Sequence, residues 1–476
     1  MKCYREHLGA VILNRTTPTC CRRGLPVEGD SPEMLPVFSP SRRSFLGTSL
    51  AGLAASTATH TAQPLQYSLP KSLPDDATFQ PATLFLTWQR DPTTTMTVQW
   101  VGTRGEVADT RVYYRSVVPV FSAPNAAAVG VLATIAAPPW RSMATKEKPY
   151  PYSDFKVFRA ELTGLAPGTD YQFRIGKESP TYRFRTMPAR PTEPISFISG
   201  GDCGVNQHTV ANNLQAARQD PQFAVIGGDL AYENGKTVAT HLAFLKNYSK
   251  TMIARDGRLI PMLACLGNHE VEGGYGTKRE KAPFFYSLFD GLYPETGYAA
   301  LDFGQYLSLV LLDTGHTSAI AGDQTEWLEK TLKDRRDHPN VMVVNHVPAY
   351  PTARRWESSL FSLGTGAPNR KYWVPLFDKY RVPVVLEHHD HTFKRTKPLK
   401  GGLADDDGVL YLGDGSWGRL RAPRPPEKLP FLAALSQDYH LTLHRIQGEE
   451  RFHMALDETG RVMDVCRTGQ RKTGVG

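Results

Sequence analysis

Cysteine is scarce in this chain: six residues in 476. That is too few for a disulfide scaffold. No stretch reaches the roughly 18 consecutive apolar residues that a spanning helix requires, which excludes a multi-pass membrane protein. A large excess of one charge is also missing. The formal net charge is +8, with hydrophobic residues at 41% and charged residues at 21%. Such usage is globular and excludes a disordered or fibrous chain. Residues 1–58 hold seven Lys and Arg against four Asp and Glu, which is 7 − 4 = +3 and leaves +5 for the remainder. A surplus this mild suits a phosphate-bearing small molecule and gives no argument for specific nucleic-acid binding.

What is present begins with a leader. Residues 41–58 read SRRSFLGTSLAGLAASTA: two arginines, a short weakly apolar run, then small residues at Ser56 and Ala58. The run Ser41-Arg42-Arg43-Ser44-Phe45-Leu46 resembles a twin-arginine export signal. It implies the twin-arginine translocase as a partner during export. It also implies a mature protein with no transmembrane anchor that is periplasmic, cell-surface or secreted. The 40 residues ahead of it are long for such a leader, and Met34 is the expected start. Removing the leader leaves Cys203, Cys265 and Cys466, which read as buried thiols.

The expected domains are a leader over 1–60, a linker over 61–80, an all-β domain over 81–188, a catalytic domain over 194–456 and a tail over 457–476. In the first domain, short alternating runs such as Met96–Trp100, Lys156–Leu162 and Tyr171–Ile175 are separated by Pro/Gly turns. They predict an antiparallel sandwich. The piece over 162–174, Leu-x-Gly-Leu-x-Pro-Gly-Thr-x-Tyr-x-Phe-Arg, resembles a fibronectin type III (Ig-like) domain.

From Ile195 the pattern changes. Five apolar runs each end in polar residues: Ile195–Ile198 before Asp202, Phe223–Ile226 before Asp229, Met262–Leu266 before Asn268, Val341–Val344 before His346, and Val382–Leu386 before His388. Continuous apolar strands are buried on both faces, so helices should flank the sheets. Ligands of open α/β sheets sit beyond such strand ends. The ends supply Asp202, Asp229, Tyr232, Asn268, His346, His389 and His391. This oxygen and nitrogen set suits Fe, Zn, Mn or Mg. Seven donors are too many for one ion and enough for two, with a carboxylate able to bridge them. Paired ions about 3.5–4 Å apart clamp in-line displacement at phosphorus.

The ordered blocks Gly201-Asp202-Cys203-Gly204, Gly228-Asp229-Leu230-Ala231-Tyr232, Gly267-Asn268-His269-Glu270, Val343-Val344-Asn345-His346 and His388-His389-Asp390-His391 resemble the calcineurin-like metallophosphoesterases. Tyr232 marks the purple acid phosphatase branch. The resemblance implies an α/β metallophosphoesterase fold, β-sandwich sheets flanked by helices, behind the all-β domain. It places Fe(III) on Asp202, Asp229, Tyr232 and His391. It places Zn, Mn or Fe(II) on Asp229, Asn268, His346 and His389, with Asp229 bridging. His269, not a ligand, would face substrate and assist the leaving group or the phosphoryl oxygens. The implied activity is phosphate-ester hydrolysis by in-line attack of a metal-held hydroxide.

Two departures stand out. His388 replaces the family's glycine and is expected to act from outside the ligand set, as is Glu270. After His346 the chain carries Arg354 and Arg355 where plant-type relatives carry a substrate-contacting histidine, and either arginine could grip phosphate. Hydrolysis of nucleotide or phospholipid diesters is the competing reading. A non-catalytic surface protein with a relic site is another, and the complete donor set argues against it.

Overall fold

The computed structural model describes residues 80–102, 109–117, 137–360, 363–413 and 415–469. The export leader, the Met34 start and nearly all of the linker lie outside them. The N-terminal domain contains β1 (Phe85–Thr87), β2 (Met96–Gly102), β3 (Val112–Ser116), β4 (Arg141–Met143), β5 (Lys146–Pro149), β6 (Lys156–Leu162), β7 (Asp170–Ile175) and β8 (Tyr182–Arg185). They form two antiparallel sheets, β1-β2-β6-β5 and β4-β3-β7-β8. Alternation is strict in β7, where Tyr171, Phe173 and Ile175 are buried and the residues between them are not. Strands β4 and β5 carry no such pattern. Their RSM and KEKP runs are mostly exposed, and hydrogen bonds to neighbouring strands make them strands.

The second domain runs β9 (Ile195–Gly200), α1 (Gln207–Arg218), β10 (Phe223–Ile226), α2 (Val238–Thr251), β11 (Met262–Ala264), α3 (Pro283–Phe289), β12 (Ala299–Phe303), β13 (Leu307–Leu312), α4 (Asp323–Asp334) and β14 (Val341–Asn345). It continues with α5 (Ala367–Tyr372), α6 (Val374–Lys379), β15 (Val384–Glu387), β16 (Phe393–Thr396), β17 (Leu399–Lys400), β18 (Leu403–Ala404), β19 (Leu410–Gly413), β20 (Leu432–Ser436), β21 (His440–Gln447), β22 (Glu450–Asp457) and β23 (Val462–Thr468). One sheet has the order β11-β10-β9-β21-β22-β23 and the other β12-β13-β14-β15-β19-β16-β20. In β13, Leu307, Leu309 and Leu311 join the main core, while Val310 and Leu312 turn to a second core. That second core includes Leu328 and Leu332 of α4 and Val374 and Phe377 of α6. This strand is buried at every position and is therefore covered on both faces.

The segment expected as a tail is different. Val462–Thr468 forms the edge strand β23, paired antiparallel with β22. Its burial alternates only between half-buried and exposed, so hydrophobic patterning could not announce it.

The two domains share a core. Trp88 packs edge-on against Phe223 and Phe303, with centroids 5.9 and 5.8 Å away. Gln99 Nε2 donates to the Leu288 carbonyl at 3.0 Å in a buried contact. Arg159 donates to Asp290 at 2.7 Å and to the Leu288 carbonyl at 2.8 Å. Apolar burial with satisfied polar contacts fixes one domain on the other.

Candidate metal centre

The parallel strands deliver their C-terminal ends to one place. Asp202 follows β9, Asp229 follows β10, Asn268 follows β11, His346 follows β14, and His389 and His391 follow β15. The turns that carry them are tight. Asp202, Asp229, Tyr232, His389 and His391 all have positive φ, between 54° and 72°, and make up five of the nine such non-glycine residues among those described. Left-handed backbone is disfavoured for residues with a Cβ and persists where the surroundings over-determine it. Here backbone hydrogen bonds hold the turns: Asp202 N–H to the Gly228 carbonyl at 3.0 Å, and Cys203 N–H to the Asp229 carbonyl at 2.9 Å.

Two groups of side chains could each hold a metal ion: Asp202, Asp229 and His391, and Asp229, His346 and His389. In each group the potential ligand atoms lie within 4.8 Å of one another, and Asp229 belongs to both. Tyr232 joins the first group, its hydroxyl 3.0 Å from His391 Nε2 and 3.2 Å from Asp202 Oδ1. Asn268 joins the second, its Oδ1 3.2 Å from His346 Nε2. His346 Nδ1 lies 2.9 Å from the Gly227 carbonyl. A carbonyl only accepts, so Nδ1 carries a proton and Nε2 faces inward; against burial, the Asp229 and Asp202 charges raise the His346 pKa to about 9, and an ion would take the place of the Nε2 proton.

Asp229 tests whether the residues fit an ion. Its side chain is buried; Oδ1 accepts the His269 N–H at 2.8 Å, and Oδ2 has no hydrogen-bond partner. A buried carboxylate oxygen without a partner is costly unless a cation completes it. The donor set around it is nitrogen and oxygen only, which fits hard and borderline ions. Burial opposes the Asp229 charge, yet the facing His346 holds its pKa below the ordinary carboxylate range. Burial, reinforced by the His346 charge, lowers the His389 pKa well below the usual imidazole value. A neutral imidazole is the form that ligates.

Glu270 stands behind the site. It accepts three backbone N–H bonds, from Asp229 and Gly267 at 2.8 Å and from Leu230 at 2.6 Å. Burial and then the Asp229 charge push its carboxyl up to about 8. His388 lies away from the ligand atoms, with Nδ1 2.9 Å from the Asn345 carbonyl. Its ring covers Gly201 and Gly227, where an added Cβ would overlap the imidazole. His269 tilts against Tyr232, centroids 4.3 Å apart, and its Nδ1 meets Asn234 Oδ1 at 2.6 Å.

The arginines divide. Arg354 donates to Asp390 Oδ1 at 2.8 Å and also bonds the His389 carbonyl, so it braces a ligand-bearing turn. Arg355 is exposed. Sequence reasoning passed over three neighbours of the site: Asn234; Arg419, whose guanidinium lies 4.3 Å over the Tyr232 ring; and Tyr275. Arg419 is far along the chain and carries no local signal. Tyr275 had one, a lone aromatic within Gly273-Gly274-Tyr275-Gly276.

Fold and residues together define a metallophosphoesterase fold behind an all-β domain. Residues 81–186 match the purple acid phosphatase N-terminal domain, and residues 200–393 match the calcineurin-like phosphoesterase domain. Purple acid phosphatase 21 of Arabidopsis thaliana is 26% identical over 58% of this chain and 63% of its own length. Purple acid phosphatase 22 of the same plant is 27% identical over 60% and 65%. An uncharacterized protein of Mycobacterium tuberculosis is 28% identical over 53% of each chain. The chain thus spans less than two thirds of these relatives. In fold it is similar to the purple acid phosphatase PPD1 of yellow lupin, at a TM-score of 0.63 and 14% identity, covering 81% of this chain and 73% of that one. The chain carries a calcineurin-like phosphoesterase domain with a purple acid phosphatase N-terminal domain in front of it.

The His388–Gly227 contact yields a stability test. Gly227→Ala should destabilise the protein by about 1–3 kcal/mol through overpacking. In a His388→Gly background the penalty should shrink, because the overlapped ring is gone. Urea denaturation of the four proteins measures the coupling. Equal penalties in both backgrounds would reject the packing account.

Proposed function

We propose that this chain is a dinuclear-metal phosphoesterase of the acid phosphatase type, acting on small-molecule phosphate esters. The observation that carries the reading is the buried, unpartnered Asp229 Oδ2 between two ligand clusters that share this residue. In this reading Asp202, Asp229, Tyr232 and His391 hold Fe(III), and Asp229, Asn268, His346 and His389 hold Zn, Mn or Fe(II). When bound, the two ions supply Lewis-acid stabilisation of an in-line displacement at phosphorus.

The chain's own residues do the remaining work. The left-handed turns fix Asp202, Asp229, His389 and His391 in place. His346, oriented by the Gly227 carbonyl, presents Nε2. His269 is positioned at Nδ1 by Asn234, which leaves Nε2 for a phosphoryl oxygen or the leaving alkoxide. Burial lowers the His269 pKa, so proton donation there draws on the anionic charge that substrate brings. Export through the twin-arginine route belongs to the same proposal, with Arg42 and Arg43 as the signal and the site assembled before transport.

Four results would check it. Asp229→Asn should retain fewer ions than any variant in one terminal ligand, by elemental analysis, since it weakens both sites; Tyr232→Phe should remove the visible absorption of a phenolate–Fe(III) pair. Metal content equal to wild type in Asp229→Asn would reject the bridge. His269→Ala should keep both ions and lose about 10²–10³-fold in rate. The loss should be smaller on nitrophenyl phosphates, whose leaving groups need no proton; metal lost in step with activity would refute the role. Replacing Arg42 and Arg43 by lysine should retain the precursor in the cytoplasm, by fractionation, and unimpaired export would refute the route.

A further inference from the structure

Tyr275 sits at the centre from the second ligand group's side. Its hydroxyl is 3.3 Å from Asn268 Oδ1 and 3.3 Å from His389 Nε2. Both distances are long for an O–H donor, whose bonds cluster near 2.7–2.8 Å. The phenol proton therefore has two weak neutral acceptors and no strong one. Both acceptors belong to the set assigned to one ion; His389 turns Nδ1 towards His346 Nε2 at 3.1 Å, and an imidazole that ligates through Nδ1 carries its proton on Nε2 and has no lone pair there to offer.

The side chain is held in place although it is 47% exposed. It stands on a strap whose flanking residues Gly273, Gly274 and Gly276 have φ of +95°, +77° and +64°. Glycine adopts these angles without strain, so the strap can turn sharply beside the site. Hydrogen bonds then fix it: Gly276 N–H to the Gly315 carbonyl at 2.8 Å, and Thr277 N–H to the His316 carbonyl at 3.0 Å. The Tyr275 ring packs on His316, centroids 4.8 Å apart. His316 is buried, with Nδ1 2.8 Å from the Gly274 carbonyl and Nε2 2.9 Å from Thr314 Oγ1. The platform is thus locked to the strap it supports.

Resting on the phosphoesterase reading, we propose that Tyr275 is a substrate-contacting residue whose phenol donates a hydrogen bond to a non-bridging oxygen of the bound phosphoryl group. An anionic oxygen is a stronger acceptor than either present neighbour. It would arrive where Asn268 and His389 converge. Arg354, beside His389, is committed to Asp390 and the His389 carbonyl, which leaves Tyr275 as the directed donor on that side. The donor is preorganised by His316 and the glycine strap, so little ordering is needed when substrate binds.

The test uses the metal-loaded full chain and orthophosphate as probe. Tyr275→Phe keeps the ring and its packing on His316. It should retain both ions by elemental analysis and bind orthophosphate about 10–100-fold more weakly by calorimetry, the value of a hydrogen bond to a charged group. On a phosphate monoester kcat should fall by a similar factor with a smaller change in KM if the bond tightens in the transition state. Unchanged orthophosphate affinity with active wild type would overturn this proposal and leave the phosphoesterase reading standing. Loss of an ion in Tyr275→Phe would overturn it in favour of a ligand role. A wild-type chain that holds two ions yet binds no orthophosphate would sink both.

Discussion

The buried carboxylate of Asp229 is the constraint on which the rest of the site depends. Its side chain is removed from water, and one of its oxygens is left without a protein partner. An isolated charge in such surroundings costs several kcal/mol unless opposite charge is supplied. The surroundings prepare for that charge instead of neutralising the group. His346 and His389 stand on one side, Asp202 and His391 on the other. Behind them Glu270 collects three backbone N–H groups and sets the turn that presents Asp229. The strained φ values at five of the ligand positions belong to the same arrangement. Packing elsewhere must hold those turns, because the turns do not hold themselves.

That packing comes from two sheets and from the domain in front. The inner faces of both sheets merge in one core that also takes in Leu86, Trp88 and Val98 of the N-terminal domain. Cys265 lies within this core, and its thiol meets the Val344 carbonyl of the other sheet at 3.8 Å. The strand ends that carry Asp229, Asn268 and His346 are therefore anchored to the same rigid body. A centre built on strand termini inherits the rigidity of the sheets, which holds the ligand atoms close together.

The rim of the site is less regular than its floor. His388 fills a space over two glycines that immediately precede ligand turns, so a departure in one block is absorbed by small residues in two others. Tyr275 and Arg419 flank opposite ligand groups, one on the Asn268 and His389 side and one over Tyr232. Arg354 and Asp390 tie the chain after His346 to the turn holding His389.

The ligand residues were legible in the sequence because each stands at the end of an apolar strand, next to small residues that tight turns demand. The sheets were legible because β10 is apolar throughout, β14 and β15 are apolar up to their last residue, and β7 alternates. Strands β4, β5 and β23 were not, since their burial is slight and their pairing is a property of neighbours. Periodicity reports which face of an element meets a core, and an edge strand with no buried face leaves no such record. Local order along the chain thus determined which side chains could bind metal and in what blocks. Only the tertiary structure decided that Arg354 would brace a turn, that His388 would lie over Gly227, and that Tyr275 and Arg419 would reach the rim. Those contacts join residues from different elements, and no spacing along one segment encodes the distance to another.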